Sequence, residues 1–251
     1  MLEVRVITIF PRIFDSFMEF GNPARAVDAG LLKFETIDLR DFTEDRHRTT
    51  DDYPYGGGTG MIMKPEPIVK AIRSVRSSLP QTKVILTTPQ GKRLDQTMVK
   101  LLVGLESMAF VCGRYEGIDE RVRNFVDEEV SIGDFILSGG ETAVMVIMDA
   151  VVRLIPGVLG ADSNIDRESF YDGFLEYPQY TRPRIFEVSE TPEILLEGHH
   201  EKIRIWRKKM ALAKTLIKRP DLLENRESNK EEQQLLNEIK SEQNIHVGEA
   251  K

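Results

Sequence analysis

Residues 108–121 read MAFVCGRYEGIDER, in which an apolar run is followed at once by a loop with two glycines. The run Met108–Cys112 predicts a buried strand, because it is short, continuous and uncharged. Alternating, β-branched segments predict further strands at Val4–Phe10, Phe34–Leu39 and Lys83–Thr87. Ligands bind at the carboxyl ends of parallel strands, so the loop Gly113–Arg121 is a candidate binding loop.

Helical segments separate these strands. Helices are predicted at Glu66–Ser77 and Leu94–Val103, and Pro11 stands where proline is tolerated in the first turn of a helix. Strands that alternate with helices of about ten residues predict βαβ units, so the expected fold class is α/β with a largely parallel sheet. The segment Glu141–Ile155 is apolar on nearly all sides. As a helix it must be buried in the core or against another subunit.

Composition excludes several classes of protein. With 41% hydrophobic residues, a chain of 251 residues can bury the core of one large or two modest domains. The most apolar stretch, Ala143–Ile155, is shorter than the roughly 20 residues of a membrane-spanning helix, and the first ten residues lack the pattern of an export signal. The single cysteine, Cys112, excludes an internal disulfide and a cysteine zinc cluster. We expect a soluble, cytoplasmic protein.

A region rich in Asp, Ser, Asn, Tyr, Gly and Pro divides the chain. We predict an α/β domain over residues 1–160, an interdomain loop or linker over 161–183, and a small all-helical domain over 184–251. Helices of the small domain are predicted at Glu193–Leu196, Glu201–Ile217 and Lys230–Lys240, with Thr191 as N-cap and Pro192 at the first helical position.

The net charge of −7 leaves room only for local basic patches. Such a patch lies between His199 and Arg219, a segment that contains eight basic residues and one acidic residue, Glu201. Trp206 lies among the basic residues. A charge run is usually a solvated helix face, yet this excess favours contacts with RNA phosphates. The basic residues are Lys202, Arg204, Arg207, Lys208, Lys209, Lys214, Lys218 and Arg219.

Three glycine-bearing segments are candidate ligand loops. The segment Tyr55–Gly60 has four glycines in six residues. It fits an ordinary tight turn as well as a loop that closes over a ligand or RNA, and it lacks the spacing of a nucleotide-triphosphate loop. Gly113–Arg121 and Ile132–Glu141 both follow predicted strands. Their spacing fits equally a pocket with backbone walls and a pair of plain connections.

The charges of the apolar helix leave two interpretations open. Asp149 and Arg153 lie four residues apart, which is typical of an exposed ion pair worth about 0.2–0.5 kcal/mol. An arginine at the end of an apolar helix is equally typical of a ligand for an anion. His47 has no metal-ligand partner at a recognisable spacing, and the other two histidines considered, His199 and His200, are adjacent. We therefore expect no structural zinc.

Taken in order, these segments resemble the bacterial tRNA (guanine-37-N1)-methyltransferases, a family of the SPOUT superfamily with a deep trefoil knot. The resemblance covers nearly the whole chain, and the ordered set of motifs is specific where a single glycine loop is not. The motifs are Ile9-Phe-Pro11, Arg40-Asp-Phe-Thr43, Asp45-Arg-His-Arg-Thr49, Asp51-Asp52, Pro54-Tyr-Gly-Gly-Gly58, Pro89-Gln-Gly91, Val111–Val122, Ser131-Ile-Gly-Asp134, Leu137-Ser-Gly-Gly-Glu141, Ile155–Gly160 and Tyr180-Thr-Arg-Pro183.

The resemblance implies a homodimeric enzyme whose shared active sites combine cofactor loops of one subunit with the interdomain loop of the other. It implies methyl transfer from S-adenosyl-L-methionine to N1 of guanosine 37 in tRNAs with guanosine at position 36. The product, 1-methylguanosine, lies next to the anticodon and helps to maintain the reading frame. The implied cofactor-binding residues are Pro89, Gly113, Tyr115, Gly117, Ile132, Gly133, Asp134, Phe135, Ile136, Leu137, Gly139 and Gly140.

Further roles follow from the same resemblance. The helical domain is expected to grip the anticodon arm. A divalent cation, Mg²⁺, is implied, with Glu116 as candidate ligand although no ligand set is legible. The implied contacts to the target nucleotides are His47, Asp51, Thr59 and Arg114, which hold a guanosine flipped out of its stack.

The chemistry requires a general base, because guanine N1 carries a hydrogen and its lone pair is delocalised. Where the family has an aspartate as base, this chain has Glu168. Arg153 matches the arginine that stabilises negative charge growing on O6. A misplacement of about 1 Å can cost on the order of a hundredfold in rate. Because glutamate reaches one methylene further than aspartate, the neighbouring Asp166 is the alternative base.

Two other functions compete with this interpretation. The first is a non-catalytic RNA-binding protein on the same scaffold, supported only by the replacement of aspartate by glutamate at Glu168. The second is a knot-fold methyltransferase that acts on ribosomal RNA. It is disfavoured, because the interdomain loop and the C-terminal domain also match the tRNA enzymes.

Overall fold

The computed structural model describes residues 1–160, 165, 168–224 and 226–249, with side chains as far as residue 242. The chain clusters into two compact units, Met1–Ser163 and Asn164–Lys251. No helix in the described ranges is long and apolar enough to cross a membrane.

The first unit contains a parallel sheet of five strands, in the order β2-β1-β6-β5-β7. The prediction of an α/β fold with a parallel sheet is confirmed, whereas the trefoil knot stays a prediction. The five strands of this sheet are β1 (Leu2–Thr8), β2 (Leu32–Asp38), β5 (Lys83–Arg93), β6 (Ser107–Cys112) and β7 (Glu128–Ser131). Two further strands of the first unit, β3 (Asp51–Asp52) and β4 (Ile62–Met63), pair with each other in a separate antiparallel sheet. Its α-helices are α1 (Asp15–Glu19), α2 (Gly21–Asp28), α3 (Pro65–Ser78), α4 (Gln96–Val103) and α5 (Gly140–Val152). Shorter 3-10 helices span Pro11–Phe14, Leu39–Phe42 and Glu120–Phe125.

Both faces of the sheet are buried, which explains why β6 is buried along its whole length and apolar from Met108 to Cys112. Successive side chains of a strand point to opposite faces. Phe110 therefore packs in one cluster with Ile147 of α5. The next residue, Val111, packs in a second cluster with Ile72 of α3. The sheet thus holds α5 on one side and α3 on the other, and its carboxyl edge is left for loops.

Several predicted boundaries are wrong in this unit. β1 and β2 each begin two residues earlier than predicted and end at Thr8 and Asp38 rather than at Phe10 and Leu39, and α4 begins at Gln96 rather than at Leu94. Two larger differences concern β5 and α5. β5 continues past Thr87 to Arg93, because the chain bulges at residues 88–91 and then pairs with β7 again: both Thr87 and Lys92 face Val130. The helix predicted at Glu141–Ile155 begins one residue earlier and ends at Val152. The apolar composition after Val152 continues beyond the helix and could not mark its end.

The bulge in β5 requires glycine at position 91. A Cβ placed there would lie 2.4 Å from the backbone nitrogen of Val130 and 2.5 Å from the carbonyl carbon of Glu129. The obstructing atoms are backbone atoms of the neighbouring strand, so a side chain would push β7 away from β5.

We predict that Gly91→Ala lowers the free energy of unfolding of the first unit by about 1–3 kcal/mol, the usual cost of overpacking. Amide hydrogen exchange of β6, which reports opening of the sheet, measures this loss. The control is Gly104→Ala, where the nearest atom to the new Cβ is the Leu101 carbonyl oxygen at 3.4 Å. Equal protection of β6 in both variants would contradict the prediction.

The sequence predicted that the C-terminal domain is all-helical, and this prediction is wrong. The second unit contains a hairpin of β8 (Ile185–Phe186) and β9 (Ser189–Glu190), whose strands are too short to show alternation. Glu187 in the turn has φ of +53°. The helices are α6 (His200–Lys218), α7 (Asp221–Glu224) and α8 (Lys230–Glu249).

The predicted cap of the first short helix is also wrong. A 3-10 helix spans Glu193–Leu195, and its N-cap is Pro192, with Thr191 outside it. A proline fits this position because its φ of −52° and ψ of 130° are extended. The two long helices pack through Leu212, Leu235 and Ile239.

Candidate active site

A cavity of about 320 Å³ lies where β6 and β7 end and β5 bulges. Eleven of the twelve residues predicted to bind the cofactor line it: Pro89, Gly113, Tyr115, Gly117, Ile132, Gly133, Phe135, Ile136, Leu137, Gly139 and Gly140. Asp134 is not among the lining residues, and its carboxylate lies 4.0 Å from the Arg93 guanidinium with 92% of the side chain exposed. The structure therefore brings three separate segments together at one edge of the sheet: the bulge at Thr88 and Pro89, the loop after β6 and the loop between β7 and α5.

Two backbone segments approach each other closely in the wall of this cavity. A Cβ on Gly140 would lie 2.2 Å from Oγ1 of Thr87 and 2.9 Å from the Cα of Cys112. The Gly140 N–H donates a hydrogen bond to the Gly113 carbonyl at 2.9 Å. Glycine is thus required where α5 begins against the end of β6, and the backbone groups of both loops line the cavity.

A buried ion pair joins three elements beneath the cavity. Glu141, in the first turn of α5, is fully buried. Its Oε2 accepts a hydrogen bond from Nε of Arg114 at 2.8 Å, and its Oε1 accepts one from the Thr8 hydroxyl at 2.6 Å. The residue pattern did not single out Glu141, which was only the last residue of a glycine loop. A charge at the start of an almost wholly apolar helix was the available signal.

Arg114 is held from several sides. Besides Glu141, its Nη1 donates to the Ser138 carbonyl at 3.3 Å, and its guanidinium carbon lies 4.7 Å from the centre of the Phe10 ring. It lines both the 320 Å³ cavity and a second cavity of about 540 Å³ beside Phe10. Arg114 is therefore a fixed positive charge between two cavities.

The glycine segment 55–60 runs beside the cavity loop, and its residues are exposed. Three backbone hydrogen bonds connect the adjoining chain to that loop. The Glu116 N–H donates to the Met61 carbonyl at 3.1 Å, the Met63 N–H donates to the Gly117 carbonyl at 3.0 Å, and the Asp119 N–H donates to the Met63 carbonyl at 3.0 Å. Gly60 lies against the side chain of Glu116. The position of the glycine segment next to the cavity favours the interpretation as a ligand loop over that as an ordinary tight turn.

The predicted nucleotide-binding residues lie around this loop. Asp51 pairs with Met63 across β3 and β4, and the Sδ of Met63 accepts the Arg114 N–H at 3.1 Å. Thr59 is exposed in the glycine segment. His47 is exposed in a turn organised by Asp45, whose carboxylate accepts the His47 N–H at 3.1 Å. The hydrogen bond from the Thr49 hydroxyl lowers the pKa of Asp45.

The amino-acid sequence of this chain matches one family of known proteins over most of its length. The sequence profile of the family described as "tRNA (Guanine-1)-methyltransferase TrmD" matches residues 2–225. The chain belongs to this family.

Three relatives show how far the similarity extends, all named "tRNA (guanine-N(1)-)-methyltransferase". The protein of Dictyoglomus turgidum is 52% identical over 242 residues, which cover 96% of this chain and 98% of the relative. That of Desulfatibacillum aliphaticivorans is 53% identical over 228 residues, covering 90% of this chain and 87% of the relative. That of a Marinomonas species is 49% identical over 239 residues, which cover 95% of this chain and 96% of the relative.

The two residues that the family resemblance assigns to catalysis lie in different units. Arg153 is the half-buried C-cap of α5, and its N–H points to the Asp149 carbonyl at 3.5 Å. Glu168 lies in the second unit, in the wall of a cavity of about 1020 Å³. Asp166, the alternative base, lies outside the described residues. The catalytic roles of these residues stay predictions.

No group of three or more His, Cys, Asp or Glu side chains is arranged to hold a metal ion in the described ranges. Glu116, the predicted Mg²⁺ ligand, lines the smaller cavity without such companions. The residues described here therefore do not fit a resident metal site, and we assign no step to a metal ion.

The basic run on α6 is largely neutralised within its own unit. Arg204 and Lys208 both pair with Glu231 of α8, and Lys209 pairs with Glu238 and Glu242. Hydrogen bonds from Arg204 and Lys208 lower the pKa of Glu231 to about 2. The RNA contacts predicted for the whole run therefore compete with these internal ion pairs.

We predict that Glu141→Ala lowers the free energy of unfolding of the first unit by about 3–5 kcal/mol, because it leaves the positive charge of Arg114 without its buried partner. Hydrogen exchange of β6 measures the loss. Glu44→Ala is the matched control: it removes a carboxylate that is 85% exposed and paired with Lys70, so a loss of about 0–1 kcal/mol is expected. Equal losses in the two variants would refute a special role for the buried pair.

Proposed function

We propose that this chain transfers the methyl group of S-adenosyl-L-methionine to N1 of guanosine 37 in tRNAs with guanosine at position 36. The product is 1-methylguanosine beside the anticodon, where it helps to maintain the reading frame. The observation that carries the proposal is family membership over residues 2–225, with relatives of about 50% identity that bear the name of this enzyme. It favours a catalytic tRNA methyltransferase over an RNA-binding protein without activity.

The cavity at the carboxyl edge of the sheet supports binding of the methyl donor. Its volume of about 320 Å³ lies within the range of small-molecule sites. Backbone N–H and C=O groups of the glycine loops are suited to the edge of an adenine ring, and Tyr115 and Phe135 offer half-exposed rings at its border. The donor, when bound, supplies a methyl group on a positively charged sulfur.

Proton removal at guanine N1 is the step that the protein must provide. Glu168 accepts the N1 proton, the N1 electron pair forms the bond to the methyl carbon, and the carbon–sulfur bond breaks to leave a neutral thioether. Negative charge develops on O6 as the proton leaves, and Arg153 stabilises it more in the transition state than in the ground state.

Substrate recognition involves the polar segments around the smaller cavity. His47, Asp51, Thr59 and Arg114 hold the flipped guanosine. The support for Arg114 is its fixed position between two cavities, with Nη2 making no hydrogen bond within the described chain.

The assignment of the parts is also proposed. Residues 1–160 form the knotted cofactor-binding domain, 161–183 the interdomain loop and 184–251 the tRNA-binding domain. The enzyme acts in the cytoplasm, where its tRNA substrate is found, as a homodimer with shared active sites. Four exposed apolar side chains of the first unit are candidates for the dimer interface: Phe10, Ile13, Phe20 and Val146.

The direct test is methylation of unmodified tRNA transcripts by the purified protein with S-adenosylmethionine. Digestion and mass spectrometry should find 1-methylguanosine in a transcript with guanosines at positions 36 and 37. A transcript with adenosine at 36 is the control and should remain nearly unmethylated. Donor binding without any methylated nucleoside would contradict the proposed activity and favour the binding-only alternative.

Single-turnover rates test the base. We predict that Glu168→Gln lowers the rate of methyl transfer by about 10²–10⁴-fold, the usual contribution of a general base. Asp172→Asn, which changes an exposed carboxylate four residues along the chain, should keep the parental rate. A normal rate for Glu168→Gln together with a strong loss for Asp166→Asn would transfer the role to Asp166.

Mixing two inactive variants tests the shared site. Gly140→Ala should abolish donor binding, and Glu168→Gln should abolish proton removal. If each site takes its cofactor loops from one subunit and its base from the other, mixed dimers contain one intact site. Statistical mixing should then restore about a quarter of the parental rate. No recovery in mixtures whose subunits have been shown to exchange would place both functions in one subunit.

A further inference from the structure

A cavity of about 460 Å³ in the second unit is lined by basic, aromatic, hydroxyl, amide and apolar side chains, and no carboxylate of the described residues is among them. The chain as a whole carries a net charge of −7, so a cavity free of acidic residues departs from the average surface. The lining residues that matter here are Tyr177, Tyr180, Thr181, Arg182, Arg184 and Arg207.

Arg207 is the one basic residue of α6 in this lining. Its guanidinium carbon lies 4.9 Å from the centre of the Tyr177 ring, which holds the side chain in place. Its Nε is buried and has no hydrogen-bond partner among the described residues. A buried donor without an acceptor is costly. The side chain as a whole is half-buried and lines the cavity, so the remaining N–H groups of the guanidinium are the ones that an anionic ligand there would bind.

The other two arginines extend this positive charge to the surface. Arg182 is exposed and makes no ion pair with the described residues. Arg184 pairs with Glu190, its Nη2 lying 2.7 Å from Oε1, and 58% of its side chain remains exposed. Tyr180 offers a half-exposed ring in the same lining.

The paired residues of α6 make this cavity the better phosphate site. Three basic residues of α6 already pair with a carboxylate of Glu201 or of α8: Arg204, Lys208 and Lys209. An RNA phosphate would have to displace these carboxylates. No such displacement is needed at Arg182 or Arg207. Arginine next to aromatic rings is the chemistry that binds RNA backbone phosphates together with stacked bases.

We propose that this cavity binds a backbone phosphate of the tRNA substrate through Arg182 and Arg207, with a neighbouring base stacked on Tyr180. The inference rests on the proposed function, because it takes tRNA as the ligand. It moves the main RNA contact from the basic run of α6 to the segment Tyr177–Arg184 and the single arginine that faces it.

The salt dependence of tRNA binding tests the site, since each lost phosphate contact lowers the slope of log Kd against log salt by about one. Because both arginines bind the same phosphate, the double variant with Arg207→Gln should lower the slope by about one, and Arg182→Gln alone by part of that amount. Lys33→Gln, in β2 and paired with Glu3 and Glu35, is the matched control and should keep the parental slope. Lys209→Gln should also keep it, because its charge is already compensated.

An unchanged slope for Arg182→Gln in a folded protein would overturn the proposal, and so would an equal or larger decrease for Lys209→Gln. Arg182 is exposed, so this variant remains informative even if Arg207→Gln fails to fold. The parental enzyme separates this site from the proposed function: binding of tRNA without methylation would refute the activity alone, whereas normal methylation with an unchanged slope for Arg182→Gln would refute the site alone.

Discussion

The ion pair between Glu141 and Arg114 fixes the geometry on which the candidate active site depends. Glu141 lies in the first turn of α5, Arg114 lies in the loop after β6, and Thr8 ends β1, so three parts of the chain meet at one buried carboxylate. A buried charge is costly unless its partners are held in place. The same contact that stabilises the carboxylate therefore holds Arg114 between the two cavities.

Close approach of backbone is the second constraint, and it follows from the first. The Glu141 carboxylate can reach Arg114 only if the start of α5 lies directly against the end of β6. Gly139 and Gly140 allow this, since a Cβ on either would lie 2.2 Å from Arg114 or Thr87. The two glycines thus allow α5 to pack closely against the end of β6, and both form part of the cavity wall.

The second unit shows why a run of charges does not define a binding surface by itself. The sequence places eight basic residues within 199–219, but α8 brings Glu231, Glu238 and Glu242 against the same helix. Internal ion pairs reduce the charge available to RNA phosphates. Arg207 differs because it packs on Tyr177 and makes no ion pair with the described residues, although it lines both the 460 Å³ cavity and the larger cavity that contains carboxylates.

The sequence by itself determined the parallel α/β class and the glycine loops, because period-two apolar strands and strand-to-loop order are local properties of the chain. It also determined the family, through motifs in a fixed order. Only the tertiary structure decided that β5 bulges and resumes, that Glu141 is a buried partner of Arg114, and that α8 pairs with three of the basic residues of α6. These features depend on residues far apart in sequence, whose distance no local pattern encodes. The short β8–β9 hairpin was missed for a different reason, since two-residue strands carry no period.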